Sequence, residues 1–578
     1  EVIDNLSFNW YLNDYWTVKG QFSVTKKYSK SEKFIDPLSS KTSVTGSKDN
    51  NLAGDLYTTN GESLDWNSNA FLYYTRSFNK QHNLNVSAGW EAASGTTEST
   101  NAHYRGFPSG EFHSLNYAAE VYKKPTRTEN TTRRVSVLAS ANYTWNDIYL
   151  VDASVRFDGS SEFGANQKWA PFFSGGLGVN IHNYDFFKSN GYINKLKLRA
   201  SYGRTGKVNF PAYAATTMYE TLFDEWYITG YGAVLKALGN KDLTWEKTDK
   251  LSVGIETKTF HDRLTVDFEY YYNKTIDLVN DVTLSQTSGF STYKDNMGQV
   301  ANKGVELKLR ADIYRDRNWN VALWGNMAHN KNEILKISDS QKAYNERVAA
   351  YYKNEALYQE TLGLSHGAEY SVPLPQYEEG ASLTSIWAVR SLGIDPTTGK
   401  EIFLNRDGSI ADKWNAAQEV VVGNTEPKCS GAFGLNLSYK NWTLFASFLY
   451  EWGGQEYNQT LVNNVENADL VNKNVDLRVL TDRWKKPGDI AQFKDIKDRG
   501  MTTLPTSRFV QDKALVRLNS LNVSYDFNRD WIKKHLRMNL LRLEASTSDL
   551  INWSSIKQER GLSYPRSWKV EFSLKAQF

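Results

Sequence analysis

Val135-Ser136-Val137-Leu138-Ala139-Ser140-Ala141-Asn142-Tyr143-Thr144-Trp145-Asn146-Asp147-Ile148-Tyr149-Leu150-Val151-Asp152-Ala153-Ser154-Val155-Arg156-Phe157 is the stretch that decides the fold. Apolar side chains stand at Val135, Val137, Ala139, Ala141 and Tyr143, and again at Tyr149, Val151, Ala153, Val155 and Phe157. The positions between them are mostly Ser, Asn, Asp and Arg. A period of two puts alternate side chains on opposite faces of an extended chain, so each run is a strand with one apolar and one polar face. Asn146-Asp147 supplies the tight turn that joins the runs into a hairpin.

The unit recurs outward in both directions. Leu6, Phe8, Trp10 and Leu12 alternate up to Asn13-Asp14-Tyr15, and Trp16, Val18, Gly20, Phe22 and Val24 follow. Leu251, Val253 and Ile255 lead to His261-Asp262-Arg263, and Leu264, Val266, Phe268, Tyr270 and Tyr272 return. Val305, Leu307, Leu309, Ala311 and Ile313 reach Arg315-Asp316-Arg317 before Trp319, Val321 and Leu323. Phe433, Leu435, Leu437 and Tyr439 reach Lys440-Asn441 before Leu444, Ala446 and Phe448. These short turns alternate with long polar connections at 25–64, 92–132, 204–243, 274–297, 330–430 and 452–512. A soluble sandwich spaces its turns evenly, whereas a bacterial outer-membrane barrel has short periplasmic turns and long extracellular loops. The expected fold is therefore all-β, a transmembrane antiparallel β-barrel of roughly sixteen to eighteen strands at about ten residues per span. Residues 341–361 depart from the pattern: Ala343, Val348, Tyr351, Tyr352 and Leu357 recur at helical spacing, which predicts a short helix inside a long loop.

Composition agrees. Mean hydropathy is −0.57 and no run is long and apolar enough for a membrane helix. A barrel chain scores as hydrophilic because half of each strand faces a polar interior. Aromatic residues reach 14%, the stock from which interfacial girdles are built. The 68 basic and 65 acidic residues are interspersed, so no nucleic-acid footprint is expected. The single cysteine, Cys429, excludes an internal disulfide framework. The last strand alternates Trp568, Val570, Phe572, Leu574, Ala576 and Phe578. Ending on an aromatic residue, it resembles the C-terminal assembly signal of outer-membrane barrels, with Phe572, Leu574 and Phe578 as its bearers.

Several blocks carry a closer resemblance. Val155-Arg156-Phe157-Asp158-Gly159-Ser160-Ser161-Glu162-Phe163-Gly164 precedes Trp169 and Phe172-Phe173-Ser174. Leu196-Lys197-Leu198-Arg199-Ala200-Ser201-Tyr202-Gly203-Arg204-Thr205-Gly206 comes next, then Asn240-Lys241-Asp242-Leu243-Thr244-Trp245-Glu246-Lys247-Thr248 and Tyr270-Tyr271-Tyr272-Asn273-Lys274-Thr275. Asn302-Lys303-Gly304-Val305-Glu306-Leu307, Asn330-Lys331-Asn332, Arg390-Ser391-Leu392-Gly393-Ile394-Asp395 and Leu515-Val516-Arg517-Leu518-Asn519-Ser520-Leu521 complete the series. In this order the blocks resemble SusC/RagA-type TonB-dependent transporters of the Bacteroidetes. The chain departs from that pattern at Lys207, where Asn is usual, and at Ser548-Asp549 in place of Gln-Asn.

The resemblance implies a twenty-two-stranded outer-membrane barrel enclosing an N-terminal plug, in a Gram-negative cell. It implies active import of oligosaccharides or oligopeptides, energised by TonB acting through the plug, with a SusD-like lipoprotein as extracellular lid. Residues 1–578 are expected to be one barrel domain, incomplete, with plug and first strands supplied elsewhere. A passive porin-like channel and a barrel-anchored surface adhesin are the alternatives, and no enzyme is expected.

Catalytic patterns are missing: there is no Gly-x-Ser-x-Gly, no His-Glu-x-x-His and no phosphate-binding Gly-x-x-x-x-Gly-Lys. Gly175-Gly176-Leu177-Gly178 reads as close strand packing, and His82, His103 and His113 have no zinc spacing. No cofactor is expected. Asp407-Gly408 with Asp412 resembles part of a calcium loop, which would place a structural calcium ion in an extracellular loop. A sugar or peptide would be held by flat aromatic faces beside hydrogen-bonding groups. The candidates in the long connections are Trp226, Tyr227 and Tyr231; Tyr351, Tyr352, Tyr370 and Trp387; and Trp452 and Tyr457.

Overall fold

A computed structural model describes residues 1–39, 41–42, 52–188, 191–208, 210–283, 292–296, 298–470, 475–527, 529–556 and 569–577. The chain falls into two compact units. The first comprises Glu1–Gly176, Gly203–Lys247 and Leu284–Asn296, the second Leu177–Tyr202, Thr248–Thr283 and Met297–Phe578.

The first unit is an antiparallel meander of β1 (Val2–Tyr11), β2 (Trp16–Ile35), β3 (Asp55–Phe78), β4 (His82–Arg105), β5 (Glu120–Trp145) and β6 (Tyr149–Ser160). The predicted hairpin forms between β5 and β6, with Asn146 at φ +52° and Asp147 at φ +55°. Two consecutive left-handed residues make the turn whose twist matches that of the strands. Its register pairs like with like. Val137 faces Phe157, Ala139 faces Val155 and Tyr143 faces Val151, while Ser136 faces Asp158, Ser140 faces Ser154 and Asn142 faces Asp152.

Burial on this hairpin is the reverse of that in a water-soluble sheet. Val137 is 56% exposed and Val155 59%, whereas Ser136 is 4% exposed. The polar face is knit by side chains: Ser87 and Ser140 hydroxyls lie 2.8 Å apart, and the Arg156 guanidinium donates to Ser136 at 2.9 Å and to Asp158 at 2.5 Å. At the short-turn edge of the unit, aromatic rings gather. Trp16 lies 4.7 Å from Tyr74, and Trp145 stacks on Tyr149 at 5.3 Å.

β7 (Trp169–Asn180) and β8 (Ile193–Lys207) are divided between the units, and β9 (Met218–Tyr227) pairs with β10 (Gly230–Ala237) as a separate hairpin. The second unit continues with β11 (Glu246–Thr259, from Thr248 on), β12 (Leu264–Ile276) and β13 (Val279–Thr283); β14 (Thr292–Asn296) belongs to the first unit, and β15 (Gln299–Arg315) and β16 (Trp319–Lys336) to the second. Beyond them lie β17 (Ser385–Ile394), β18 (Glu401–Leu404), β19 (Ile410–Ala411), β20 (Glu419–Asn424), β21 (Cys429–Tyr439), β22 (Trp442–Tyr457), β23 (Val510–Asp526), β24 (Leu540–Thr547), β25 (Asn552–Ser554) and β26 (Val570–Gln577). Here too register segregates the faces: Phe268 faces Leu307, Leu307 faces Met327 and Leu309 faces Gly325, while Glu269 faces Glu306. The Asp316 carboxylate accepts the Asn318 and Trp319 amides at 2.7 Å each and closes the β15–β16 turn, and Trp319 lies 4.2 Å from Tyr439 at that edge. On β26, Phe572 and Leu574 are exposed; Phe578 lies outside the described residues. Among the described residues eighteen strands belong to the large antiparallel ladders, at the upper end of the expected number. No described helix is long and apolar enough to cross a membrane.

The connections differ from their sequence reading. β3, β4 and β5 run 24, 24 and 26 residues, so much of 25–64 and 92–132 is strand. Toward their far ends polar residues such as Asn60, Glu62, Glu98, Asn101, Lys123 and Arg127 interrupt the alternation, which gives no sign of the strands' length. The connection at 330–430 is a folded module. Its helix spans Asp339–Leu362, longer than predicted, opened by a capping box in which Ser338 and Gln341 satisfy each other's amides and closed by Gly363 at φ +63°. β17 is central to a four-stranded sheet ordered β19-β18-β17-β20. The stretch 458–509, expected as loop, has its own core of Leu461, Val462, Val465, Val479, Phe493 and Phe509.

Candidate functional site

On the polar face of the second unit lies a cleft of about 520 Å³. It is lined by Ser201, Lys250, Leu251, Ser252, Glu269, Tyr271, Asn273, Asn302, Glu306 and Asn330. Alternation places these groups: Phe268, Tyr270 and Leu309 are exposed on the apolar face, so the intervening positions of β12 and β15 point to the other. Gly304 creates the room. A Cβ there would lie 2.6 Å from the Tyr271 hydroxyl and 2.1 Å from the His329 carbonyl oxygen. The Tyr271 ring therefore lies across Gly304, and its hydroxyl donates to Asn330 Oδ1 at 2.9 Å. Asn330 and Asn332 both donate to Asn302 Oδ1, at 3.2 and 2.9 Å, and Glu426 accepts from the Asn330 amide and the Asn332 N–H. At the cleft's edge Arg199 binds Asp267 at 3.0 Å and Glu269 at 2.6 Å. Amides, carboxylates, a lysine and a phenol offer donors and acceptors to a polar ligand such as a sugar ring or a peptide backbone. Type-based selection of aromatics overlooked this cleft. Its signal was Asn273, Asn302 and Asn330 recurring at polar positions of alternating strands.

The aromatic candidates divide. Tyr351 stacks on Tyr370 at 4.3 Å and 11°, both half-buried on the helical module. Tyr352 is fully buried with Val348 and Leu504; its hydroxyl donates to the Val372 carbonyl and accepts the Leu374 amide at 3.0 Å. Trp387 is buried in β17, and Tyr457 packs against the core at Phe509. These three side chains are used by loop cores and present no face to a ligand. Trp452 is 71% exposed, but among Leu307, Leu309 and Phe433 on the apolar face, away from the cleft. Tyr231 is exposed on β10; the Trp226 and Tyr227 side chains lie outside the described residues. The Asp407 carboxylate accepts the Ser409 amide at 2.9 Å and hydroxyl at 2.6 Å, a turn-closing use. Among the described residues no group of three or more His, Cys, Asp or Glu could hold a metal ion.

Buried charges stiffen the module that carries Tyr351 and Tyr370. Arg508 binds Glu401 at 2.9 Å and Glu466 at 2.7 Å. Burial alone would raise the Glu401 carboxyl, yet Arg508 holds it below the usual carboxylate range. Glu355 is likewise opposed by burial but kept low by Gln359, His366 and Ser365. Glu419 has weaker support: burial pushes it up to about 7, only partly countered by the Gln376 amide.

Strands whose apolar face is exposed, whose polar face carries a cleft, and whose short-turn edge is ringed with aromatics define an outer-membrane β-barrel. The profile of the family described as TonB dependent receptor-like, beta-barrel, matches residues 3–540, and the chain belongs to that family. It is 26% identical to TonB-dependent receptor P39 of Formosa agariphila over 566 residues, 89% of this chain and 53% of that protein. It is 29% identical to TonB-dependent receptor SusC of Bacteroides thetaiotaomicron over 255 residues, 42% of this chain and 25% of that one. Among solved structures it superposes on the RagAB peptide transporter with a TM-score of 0.81 at 21% identity, covering 100% of this chain and 61% of that one. The chain thus spans about half the length of the full curated receptors it matches.

Proposed function

We propose that the chain is the barrel portion of a TonB-energised importer that carries oligosaccharides or oligopeptides across the outer membrane beneath a SusD-like lipoprotein lid. The observation that carries this reading is the cleft: a surface of amides, carboxylates and hydroxyls on the polar face of the strands. A structural neighbour named as a peptide transporter supports the oligopeptide class. TonB acts on a plug that this barrel encloses. Tyr271, Asn273, Asn302 and Asn330 bind the oligomer on the wall. Tyr231, Tyr351 and Tyr370 offer aromatic surface in the connections.

The test uses the full-length receptor in its host, measuring uptake of labelled oligosaccharides and oligopeptides with and without TonB. Asn273→Ala and Asn302→Ala should each weaken apparent uptake affinity about tenfold, the worth of about one hydrogen bond to the ligand. Uptake of every oligomer at an unchanged rate after TonB deletion would overturn import. Unchanged affinity in both variants would overturn the cleft alone.

A further inference from the structure

The cleft on the polar face of the second unit holds two charges of opposite sign that the protein leaves unmatched. Glu269 faces Glu306 across β12 and β15, and like charges set directly opposite destabilise a sheet. Arg199 is shared by Glu269, at 2.6 Å, and Asp267, at 3.0 Å, so one guanidinium serves two carboxylates and none remains for Glu306. Further along β15, Lys308 stands opposite Asp267 and Arg310 binds Asp312 at 3.4 Å. Among the described residues Glu306 makes no ion pair, and neither does Lys250, which lines the same cleft. Glu306 is half-buried and Lys250 exposed.

Register fixes where the two stand. Asn273 faces Asn302 across β12 and β15. The Thr248 and Thr275 hydroxyls lie 3.0 Å apart across β11 and β12, which sets Lys250 level with Asn273. Lys250, Asn273 and Asn302 thus form one row across three strands, and Glu306 lies further along β15 on the same face. At about 4.8 Å per strand and about 3.3 Å per residue, the charges stand about 10 Å apart across the strands and about 13 Å apart along them, about 16 Å on the diagonal. The amides of the row keep bonding capacity. Asn302 accepts from Asn330 and Asn332 at Oδ1 and retains its Nδ2 donor, and the Asn273 side chain is uncommitted among the described residues.

We propose that Glu306 and Lys250 are the specificity-determining pair of the wall. They take the terminal ammonium and the terminal carboxylate of one extended oligopeptide of about five residues, which at about 3.3 Å per residue spans the diagonal. Asn273 and Asn302 meet its backbone. A neutral oligosaccharide leaves both charges unmet, and a polycation or a polyanion satisfies one while it is repelled by the other. This presupposes the importer reading and narrows its substrate from two classes to one.

The experiment is calorimetric titration of the full-length receptor, purified from outer membranes in mild detergent. The probes are pentaalanine with free termini, its N-acetylated and C-amidated forms, dialanine and cellopentaose. Wild type should bind free pentaalanine about tenfold or more tighter than either blocked form, the worth of one charge-assisted hydrogen bond. Glu306→Gln should weaken the free peptide about tenfold and leave the N-acetylated one unchanged. Lys250→Met should weaken the free peptide likewise and leave the C-amidated one unchanged. Unchanged binding of the matched blocked peptide also shows that each variant is folded. Dialanine, too short to reach both ends, should bind about tenfold or more weakly than pentaalanine. Equal binding of free and blocked peptides by wild type, or tighter binding of cellopentaose, overturns the pair. Uptake that needs TonB in a receptor indifferent to peptide termini would overturn the pair and spare the importer reading.

Discussion

Val155→Arg tests the reversed burial directly. Val155 lies on the apolar face of β6, 59% exposed, opposite Ala139. It stands six residues past Tyr149, which stacks on Trp145 at the aromatic edge. At about 3.3 Å per residue and a strand tilt of about 40°, that is about 15 Å above the girdle, near the middle of an apolar band about 25 Å tall. An arginine at the midplane of a barrel's lipid face costs about 2–4 kcal/mol, about 30- to 1,000-fold in the folded-to-unfolded ratio. Ser154→Arg is the internal reference. Its hydroxyl lies 2.7 Å from that of Ser174 on the polar face, so the change removes about one hydrogen bond, about 1 kcal/mol. The assay is urea titration of the full-length receptor folded into lipid vesicles, followed by tryptophan fluorescence. If Val155→Arg destabilises no more than Ser154→Arg, the exposed apolar face does not contact lipid and the membrane reading fails. In water the prediction has the opposite order, because a charge on an exposed valine is nearly neutral there.

Two further outcomes concern the folded module after β16. Glu355→Leu leaves donors of Gln359, Ser365 and His366 without their acceptor and should speed amide exchange in both the helix and the stretch near Thr502, which Ser365 and Gln359 tether at 2.7 and 3.2 Å; exchange unchanged at either place counts against the buried-carboxylate account. Glu419 titrates higher folded than unfolded, so its contribution to stability is fully present below about pH 4.5, falls as pH rises toward about 7, and levels off above, a swing of up to about 3 kcal/mol. Glu419→Gln should remove that component, read as slower exchange of β17 and β20 amides at pH 7.5 with little change at pH 4; an identical pH profile in both proteins refutes it.

The hairpins were legible because period-two alternation survives any environment in which a sheet has two unlike faces. Val135–Phe157 and Val305–Leu323 needed no further information. Strand length was not legible: β5 continues back to Glu120 through Lys123, Lys124, Arg127 and Asn130, polar on either face. The helix was found but its buried stripe was misread. Val348, Tyr352, Glu355 and Gln359 are buried, whereas Leu357 is 60% exposed. Two polar residues stand on the packed side, held by each other, by Ser365 and His366 just past the helix and by Thr502, and no periodicity of apolar residues reveals them. The binding surface suffered from the same preference for apolar type. Tyr352, Trp387 and Tyr457 were chosen as large rings, and large rings are also what a loop core needs. Asn273, Asn302 and Asn330, by contrast, lay in view on the polar sides of recognisable strands.

Reversed burial bears on how such a chain reaches its destination. Most positions between the apolar residues of Val135–Phe157 are Ser, Asn, Asp or Arg, so the stretch is not greasy enough to be halted in the inner membrane as a helix. The lipid-facing surface comes into being only when strands pair and their alternate side chains line up. The chain's affinity for lipid is thus encoded in register and expressed on assembly.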